Sequence, residues 1–258
     1  MFINPAVTVL LAFLADQLLG DPRVSWHPVR LIGVLAEKIR PFCYSLGKWG
    51  GALIVLLTSG AVLTLVSFLS AIFPPLEALL LYFWIAEKSL REEVERVGHL
   101  LRRGLLEEAR HKLSYLVGRE TKDLSLSDVV RAAVETTAEN FTDSLVGPLF
   151  WYLFGGILGV SFYKVVETLD SMYGYKTPPW KDFGFFPAKL DDVLNFFPAR
   201  IAGFFLALAA LVWGPRFFWR ALRVMLKDAR RHDSPNSGFT EAAMAGALGI
   251  ELGGPVVY

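Results

Sequence analysis

The sequence predicts an all-α, polytopic integral membrane protein with an amphipathic helical hairpin on the cytoplasmic side. Three observations predict it. Of 258 residues 53% are hydrophobic, and they are blocked: residues 1–15, 50–75, 144–163 and 201–215 contain no Asp, Glu, Lys or Arg. Runs of about 20 apolar residues match the hydrocarbon thickness of a bilayer, and the shorter first and last runs need flanking residues to cross it. The charged residues lie between these blocks with a helical period. No stretch carries a strand pattern, an internal repeat or a low-complexity tract.

Residues 1–19 predict a first apolar helix that stops at Gly20. The apolar start has no basic region ahead of it and runs into Asp16, so it is expected to be a retained membrane helix and not a cleaved signal. A polar turn, GDPRVSWHPVR, follows at 20–30, where two prolines disfavour helix. Residues 50–73 form the clearest span, which Pro74-Pro75 breaks, and 76–86 begin another apolar helix. Its continuation, EKSLREEVERVGHLLRRG, places Leu90, Val94, Val97 and Leu101 on one face. Gly104 separates it from a second amphipathic helix over 105–117. Ser125 with Asp128 three residues later has the form of a capping box. Four or five hydrophobic helices are expected, in a single membrane-embedded domain over 1–258 with the polar hairpin of about 87–118 inserted.

Orientation follows from Lys and Arg. Residues 87–143 carry ten and 216–231 carry six, so both are expected in the cytoplasm. Residues 167–196 carry three against five Asp or Glu, which by counting alone places them outside. The segment 216–231 is a basic helix with Phe217, Phe218, Leu222 and Met225 as apolar anchors, expected to lie on an anionic membrane surface. A net charge of +1 gives no general attraction to nucleic acid, and the single cysteine, Cys43, excludes an intrachain disulfide and a cysteine zinc site.

The densest chemistry lies at 128–143, DVVRAAVETTAENFTD. Asp128, Arg131, Glu135, Glu139 and Asp143 recur at spacings of three and four, within roughly 120° of one helix face. Glu135 to Asp143 spans about 12 Å along the axis. Carboxylates repeated at i,i+4 repel, so helix stability does not explain them. A hard cation such as Mg²⁺, bridging to phosphates, does. The alternative is an acidic face balanced by basic residues elsewhere. Asp21, His27 and Arg30 share one short loop, either as an anion grip or as a capped helix end. Arg119 lies in a charged loop that by itself suggests a solvated connection. Asp170, Lys189, Asp191 and Asp192 add ionisable groups near apolar segments. His99, His111 and His232 are expected at the surface, and the pairs Phe185-Phe186 and Phe196-Phe197 are expected as interfacial anchors. No Walker A sequence is present, and Asp182-Phe183-Gly184 lacks the companion motifs of a kinase.

Six ordered stretches together resemble the CbiB/CobD family of cobalamin biosynthesis, the adenosylcobinamide-phosphate synthases. They are LADQLLGDPRVSWHPVRLIG at 14–33, GRETKDLS at 118–125, VVRAAVETTAENFTDSLVGPLFW at 129–151, ETLDSMYGYK at 167–176, FPAKLDDVLNFFPAR at 186–200 and SPNSGFTEAAMAGALGIELGGP at 234–255. The resemblance implies a multi-pass enzyme of the cell membrane with its site on the cytoplasmic side. It implies an ATP- and Mg²⁺-dependent amide ligase joining adenosylcobyric acid to (R)-1-amino-2-propanol or its O-phosphate. By motif it carries Glu135, Glu139, Asn140 and Asp143 as metal and phosphate candidates, with Glu135, Glu139, Asp143 and Asp170 as the catalytic set. Arg119 and Arg131 would hold phosphate oxygens. Asp21, His27, Arg30, Lys189, Asp191, Asp192 and Asn236 are further substrate-binding candidates. Implied partners are the small-molecule substrates, membrane lipid and, from family context alone, other late membrane enzymes of the pathway.

The chain departs from the family pattern in four places. Glu120 replaces the usual aspartate, Ser144 a common glycine and Glu167 the usual asparagine, while relatives commonly continue beyond Tyr258 through another apolar segment. Two other classes compete with the ligase. A carrier would line its pathway with a broken segment 144–163, and a scaffold would need no acidic clustering. The glycines at 147, 155 and 156 predict that 144–163 folds as two half-helices rather than one straight crossing. That fold-back would bring Asp170 to the side of Glu139.

Overall fold

The computed structural model describes residues 4–22 and 24–253. Residues 1–3 of the expected first helix, Arg23 of the first loop and residues 254–258 of the last motif lie outside them. The described residues form an all-α protein. Three helical stretches are long and apolar enough to cross a membrane, Pro28–Ile72, Leu126–Tyr173 and Phe196–Trp213, and Pro5–Leu19 is a shorter apolar helix. The chain divides into two compact units. One takes residues up to Ala86 together with Gly147–Asn195, the other Glu87–Val146 together with residues from Phe196 onward.

The first unit contains α1 (Pro5–Leu19), α2 (Pro28–Cys43), α3 (Gly47–Ile72) and α4 (Leu76–Trp84). Asn4 caps α1 through Ala6 N–H, with Pro5 in the first turn where its missing donor costs nothing. Helix α1 stops at Gly20, whose φ of 68° suits a residue without Cβ. Pro74 and Pro75 separate α3 from α4, which packs on α1.

The second unit begins with α5 (Glu87–Arg102) and α6 (Leu106–Leu113), the expected hairpin, turning at Gly104. The second arm ends at Leu113 and not at Val117, because a string of turns follows it. Their apolar faces close on α7 (Leu126–Phe141): Val97, Ala109, Leu113, Val129 and Ala132 are fully buried together. The capping box forms as expected, with Ser125 accepting from Asp128 N–H and Asp128 accepting from Ser125 N–H.

Helix α8 (Gly147–Tyr173) returns the chain to the first unit and is not straight. Gly156 has φ 58° and ψ −153°, which breaks the helix into arms 147–155 and 157–173. In a continuous helix residues 147 and 163 would stand about 24 Å apart. Instead a Cβ on Gly147 would lie 2.4 Å from Tyr163 Oη, and one on Gly159 would lie 2.6 Å from the Trp151 carbonyl oxygen. The arms therefore fold back against one another, as the glycine pattern predicts. Helix α9 (Phe185–Leu194) closes the hairpin from both sides. Trp151 Nε1 donates to Leu194 O at 3.1 Å, and Tyr163 Oη donates to Asn195 Oδ1 at 2.9 Å. Phe183, read from sequence as part of a misleading tripeptide, is core, packed against Tyr44 and Tyr173.

Helices α10 (Phe196–Ala209), α11 (Pro215–Asp228) and α12 (Ser237–Leu248) complete the second unit. The structure corrects the expected lipid anchors of α11. Met225 is buried, and Phe217 and Phe218 pack against Ala207, Ala210, Ala221 and Ala247. The apolar face of α11 is thus covered by its own protein.

Candidate functional site

In the second unit the acidic face of α7 meets α12. Glu139 is exposed and Glu135 is buried one turn earlier. Ser237 Oγ donates to Glu139 Oε1 at 2.9 Å. Glu241, one turn further along α12, is 8% exposed and faces His232, whose Nε2 lies 3.4 Å from Glu241 Oε1. The other imidazole nitrogen, Nδ1, accepts from Ser234 N–H at 2.9 Å, which leaves Nε2 as the donor toward Glu241. Burial first, then the charges of Glu139 and Glu135, push the Glu241 carboxyl from 4.5 up to about 8, against the pull of Arg119. A carboxylic acid that holds its proton near neutral pH therefore sits beside a second carboxylate.

Glu135 has a different part. Its Oε2 pairs with Arg119, and its Oε1 accepts from Gly253 N–H at 2.7 Å. Arg131 Nε stands 3.9 Å from the same Oε1, while Arg131 itself pairs with Asp128 at 2.8 Å. Arg119, expected from its loop alone to be solvated, is mostly buried against Glu135. Beside it lies a cavity of about 260 Å³ lined by Arg110, His111, Thr121 and Lys122.

Asp143, the last member of the acidic ladder, lies just past the end of α7. Helix α7 ends at Phe141, and Thr142–Val146 form one π turn. Among the described residues no group of three or more His, Cys, Asp or Glu is placed to hold a metal ion. Of the expected trio, Glu135 is engaged on both oxygens, by Arg119 and Gly253 N–H, and Glu139 is exposed. A phosphate-borne Mg²⁺ keeps waters and takes one or two carboxylates, and the exposed Glu139 would be the residue to hold it. Asn140 turns inward, its Nδ2 donating to Thr136 O and Oγ1 at 2.8 Å each. Asn236 is buried at the start of α12, with Arg200 Nη1 3.4 Å from its Oδ1. Arg200 is in turn stacked on Phe196 and Phe239.

The remaining candidates belong to the first unit. His27 Nδ1 accepts from Val29 N–H and caps α2, while Nε2 meets Asp21 Oδ1 at 2.8 Å. The two therefore build the first turn, which Tyr82 Oη fastens at Gly20 O with a 2.6 Å bond. Arg30 stands apart from them on a shallow groove of about 520 Å³, with Gly33, Val34, Glu37, Lys38 and Met172. Asp170 Oδ1 presses on Gly174, where a Cβ would come within 1.9 Å. Lys189 and Asp192 form an exposed pair at 2.8 Å. Asp191 accepts from Asn195 at 3.1 Å and so supports the Tyr163 contact. The extra charge of Glu167 is met by Lys164 at 2.5 Å. Glu139 and Asp170 belong to different units.

Sequence reasoning missed Glu241 and Ser237; it placed His232 at the surface, where it is, but not its contact with Glu241. One signal was present: Glu241 is the only charged residue in an otherwise small and apolar α12.

A family model described as CobD/Cbib protein matches residues 9–258. Three curated proteins, each called cobalamin biosynthesis protein CobD, are similar along nearly the whole chain. The one from Geobacter metallireducens is 45% identical, with 97% of this chain and 82% of the relative covered. The one from Photorhabdus laumondii is 41% identical, covering 96% and 82%. The one from Clostridium perfringens is 38% identical, covering 98% and 84%. No solved structure matches.

Proposed function

The chain belongs to the CobD/Cbib family of cobalamin biosynthesis, and from that membership we propose that it is an ATP-dependent amide ligase of the cell membrane. It joins adenosylcobyric acid to (R)-1-amino-2-propanol or its O-phosphate. The observation that carries this reading is the family match over residues 9–258. The cluster of Arg119, Glu139 and Glu241 supports it with suitable chemistry.

Amide formation from a carboxylate needs activation and the loss of an oxygen. The corrinoid carboxylate attacks the γ-phosphorus of ATP, and ADP leaves. The amine then attacks the acyl carbon, phosphate departs with the former carboxylate oxygen, and the nitrogen gives up a proton. Mg²⁺, when bound, supplies neutralisation of phosphate charge. Glu139 would hold it, and Arg119 and Arg131 would offset the remaining anionic oxygens. Glu139 attracts the ammonium of the amine substrate, and Glu241, when ionised, takes a proton from it, which its position near neutral pH favours. ATP is cytoplasmic, which places the reaction on that side.

The test is substrate dependence. Protein in lipid nanodiscs should hydrolyse ATP only when corrinoid acid and aminopropanol phosphate are both supplied, with a stoichiometric amide product. Hydrolysis with one of them missing, or none with both present, overturns the proposal. A carrier using the hairpin of α8 as a pathway would give the latter result.

A further inference from the structure

The outward face of α11 is chemically unlike the face packed inside. Beyond Pro215 its exposed residues are Arg216, Trp219, Arg220, Arg223, Leu226 and Lys227, which recur at spacings of three and four, and Arg230 follows, exposed, in the turn Ala229–Arg231. Arg220 is committed to the protein, donating to Gly246 O and Ala247 O at the end of α12. Arg223, Lys227 and Arg230 have no carboxylate partner among the described residues, while Arg216 rests on the Phe217 ring. The only acid of the helix, Asp228, is taken by Arg231 at 3.0 Å. Between these cations stand two large apolar side chains, Trp219 at 61% and Leu226 at 69% exposure. They lie seven residues apart, two turns or about 10 Å along one line of the helix.

The face continues from a candidate membrane crossing. Helix α10 and the turn Ala210–Trp213 end in Val212 and Trp213, which are 87% and 60% exposed. Gly214, with φ 116°, then turns the chain into Pro215 and α11. A purely solvated basic helix has no use for an exposed Trp and Leu in register with its cations. A helix lying at the headgroup level does, because the indole favours the interface and the cations meet lipid phosphates.

We propose that Arg216, Trp219, Arg223, Leu226, Lys227 and Arg230 form a seat for an anionic lipid surface. The seat is the face opposite to Phe217, Phe218 and Met225, which the apolar periodicity alone would have chosen. It leaves Arg220 free to hold α12 by its C-terminal carbonyls. It does not depend on the ligase reading, since it rests only on charge, exposure and continuity with the span.

The test uses environment-sensitive probes on single cysteines at positions 219, 226 and 115 in a Cys43→Ala background. Tyr115 is 70% exposed on the hairpin side of the same unit and serves as the reference. Each protein is placed in nanodiscs of phosphatidylcholine with or without phosphatidylglycerol. Probes at 219 and 226 are expected to shift to the blue and to be quenched by lipid-borne spin labels when phosphatidylglycerol is present. The probe at 115 should stay in water. Arg223→Glu with Lys227→Glu, both exposed positions, should weaken this seating on the order of tenfold. Probes that remain in water with phosphatidylglycerol overturn the proposal. So does an equal shift in phosphatidylcholine alone, which would mean no recognition of charge. A shift that follows protein density and not lipid charge also overturns it, by naming a second copy as the occupant.

Discussion

Ser237 Oγ donates a 2.9 Å hydrogen bond to Glu139 Oε1 and so joins α12 to the acidic face of α7 across 98 residues of chain. The contact leaves Glu139 exposed on its other side, next to a buried Glu241 that holds its proton near neutral pH. One carboxylate is exposed, the other holds its proton, and both are positioned by the same helix pair.

Glu139→Gln keeps size and the acceptor for Ser237 but removes the charge. Turnover should fall about 100-fold, equivalent to about 2.7 kcal/mol of transition-state stabilisation, with the melting curve unchanged. Normal turnover of the variant at limiting Mg²⁺ would remove Glu139 from the site.

Glu135 is expected to matter for stability first. Both it and Arg119 are mostly buried, so removing either partner strands a charge at a cost of about 3 kcal/mol. Thermal unfolding of Glu135→Gln and Arg119→Met should each show this loss, and the double variant should lose less than the sum. Strict additivity would mean that the pair is not coupled.

The raised carboxyl of Glu241 gives a signed pH dependence. Between 4.5 and about 8 the unfolded chain has released this proton and the folded protein retains it. Unfolding then releases a proton, so this contribution to stability is fully present below 4.5 and is lost as pH rises to about 8. The slope is at most about 1.4 kcal/mol per pH unit. Melting temperatures measured in chelator should fall from pH 6 toward pH 8 (roughly the upper part of that window), and Glu241→Gln should flatten the curve. A wild-type curve already flat there refutes the shift.

The α8 hairpin makes a contrast between two glycines. Gly147→Ala places a methyl 2.4 Å from Tyr163 Oη, which is itself held by Asn195, and should destabilise by about 1–3 kcal/mol. Gly155→Ala meets nothing within 4 Å and should be tolerated. Equal tolerance of both in a thermal assay would mean that the arms do not fold back.

Much of the architecture was legible. Charge-free runs located the apolar helices, Ser125 with Asp128 marked the start of α7, and Gly155-Gly156 marked the break in α8. What local pattern cannot give is the partner of a side chain. Glu135 looked like a metal ligand because Arg119 and Gly253, which occupy it, are 16 and 118 residues away. Glu241 was passed over because α12 has no polar periodicity, and its environment comes from packing on α7. For α11 the periodicity showed an apolar face correctly, but not that protein rather than lipid covers it.

Amide ligation itself is tested most directly by isotope transfer. Corrinoid acid carrying ¹⁸O in its free carboxylate, incubated with ATP, Mg²⁺, aminopropanol phosphate and the protein in nanodiscs, is followed by mass spectrometry of product and phosphate. Activation as an acyl phosphate predicts an amide product and one labelled oxygen in the released inorganic phosphate. Absence of the amide, or phosphate free of label while amide accumulates, would contradict it.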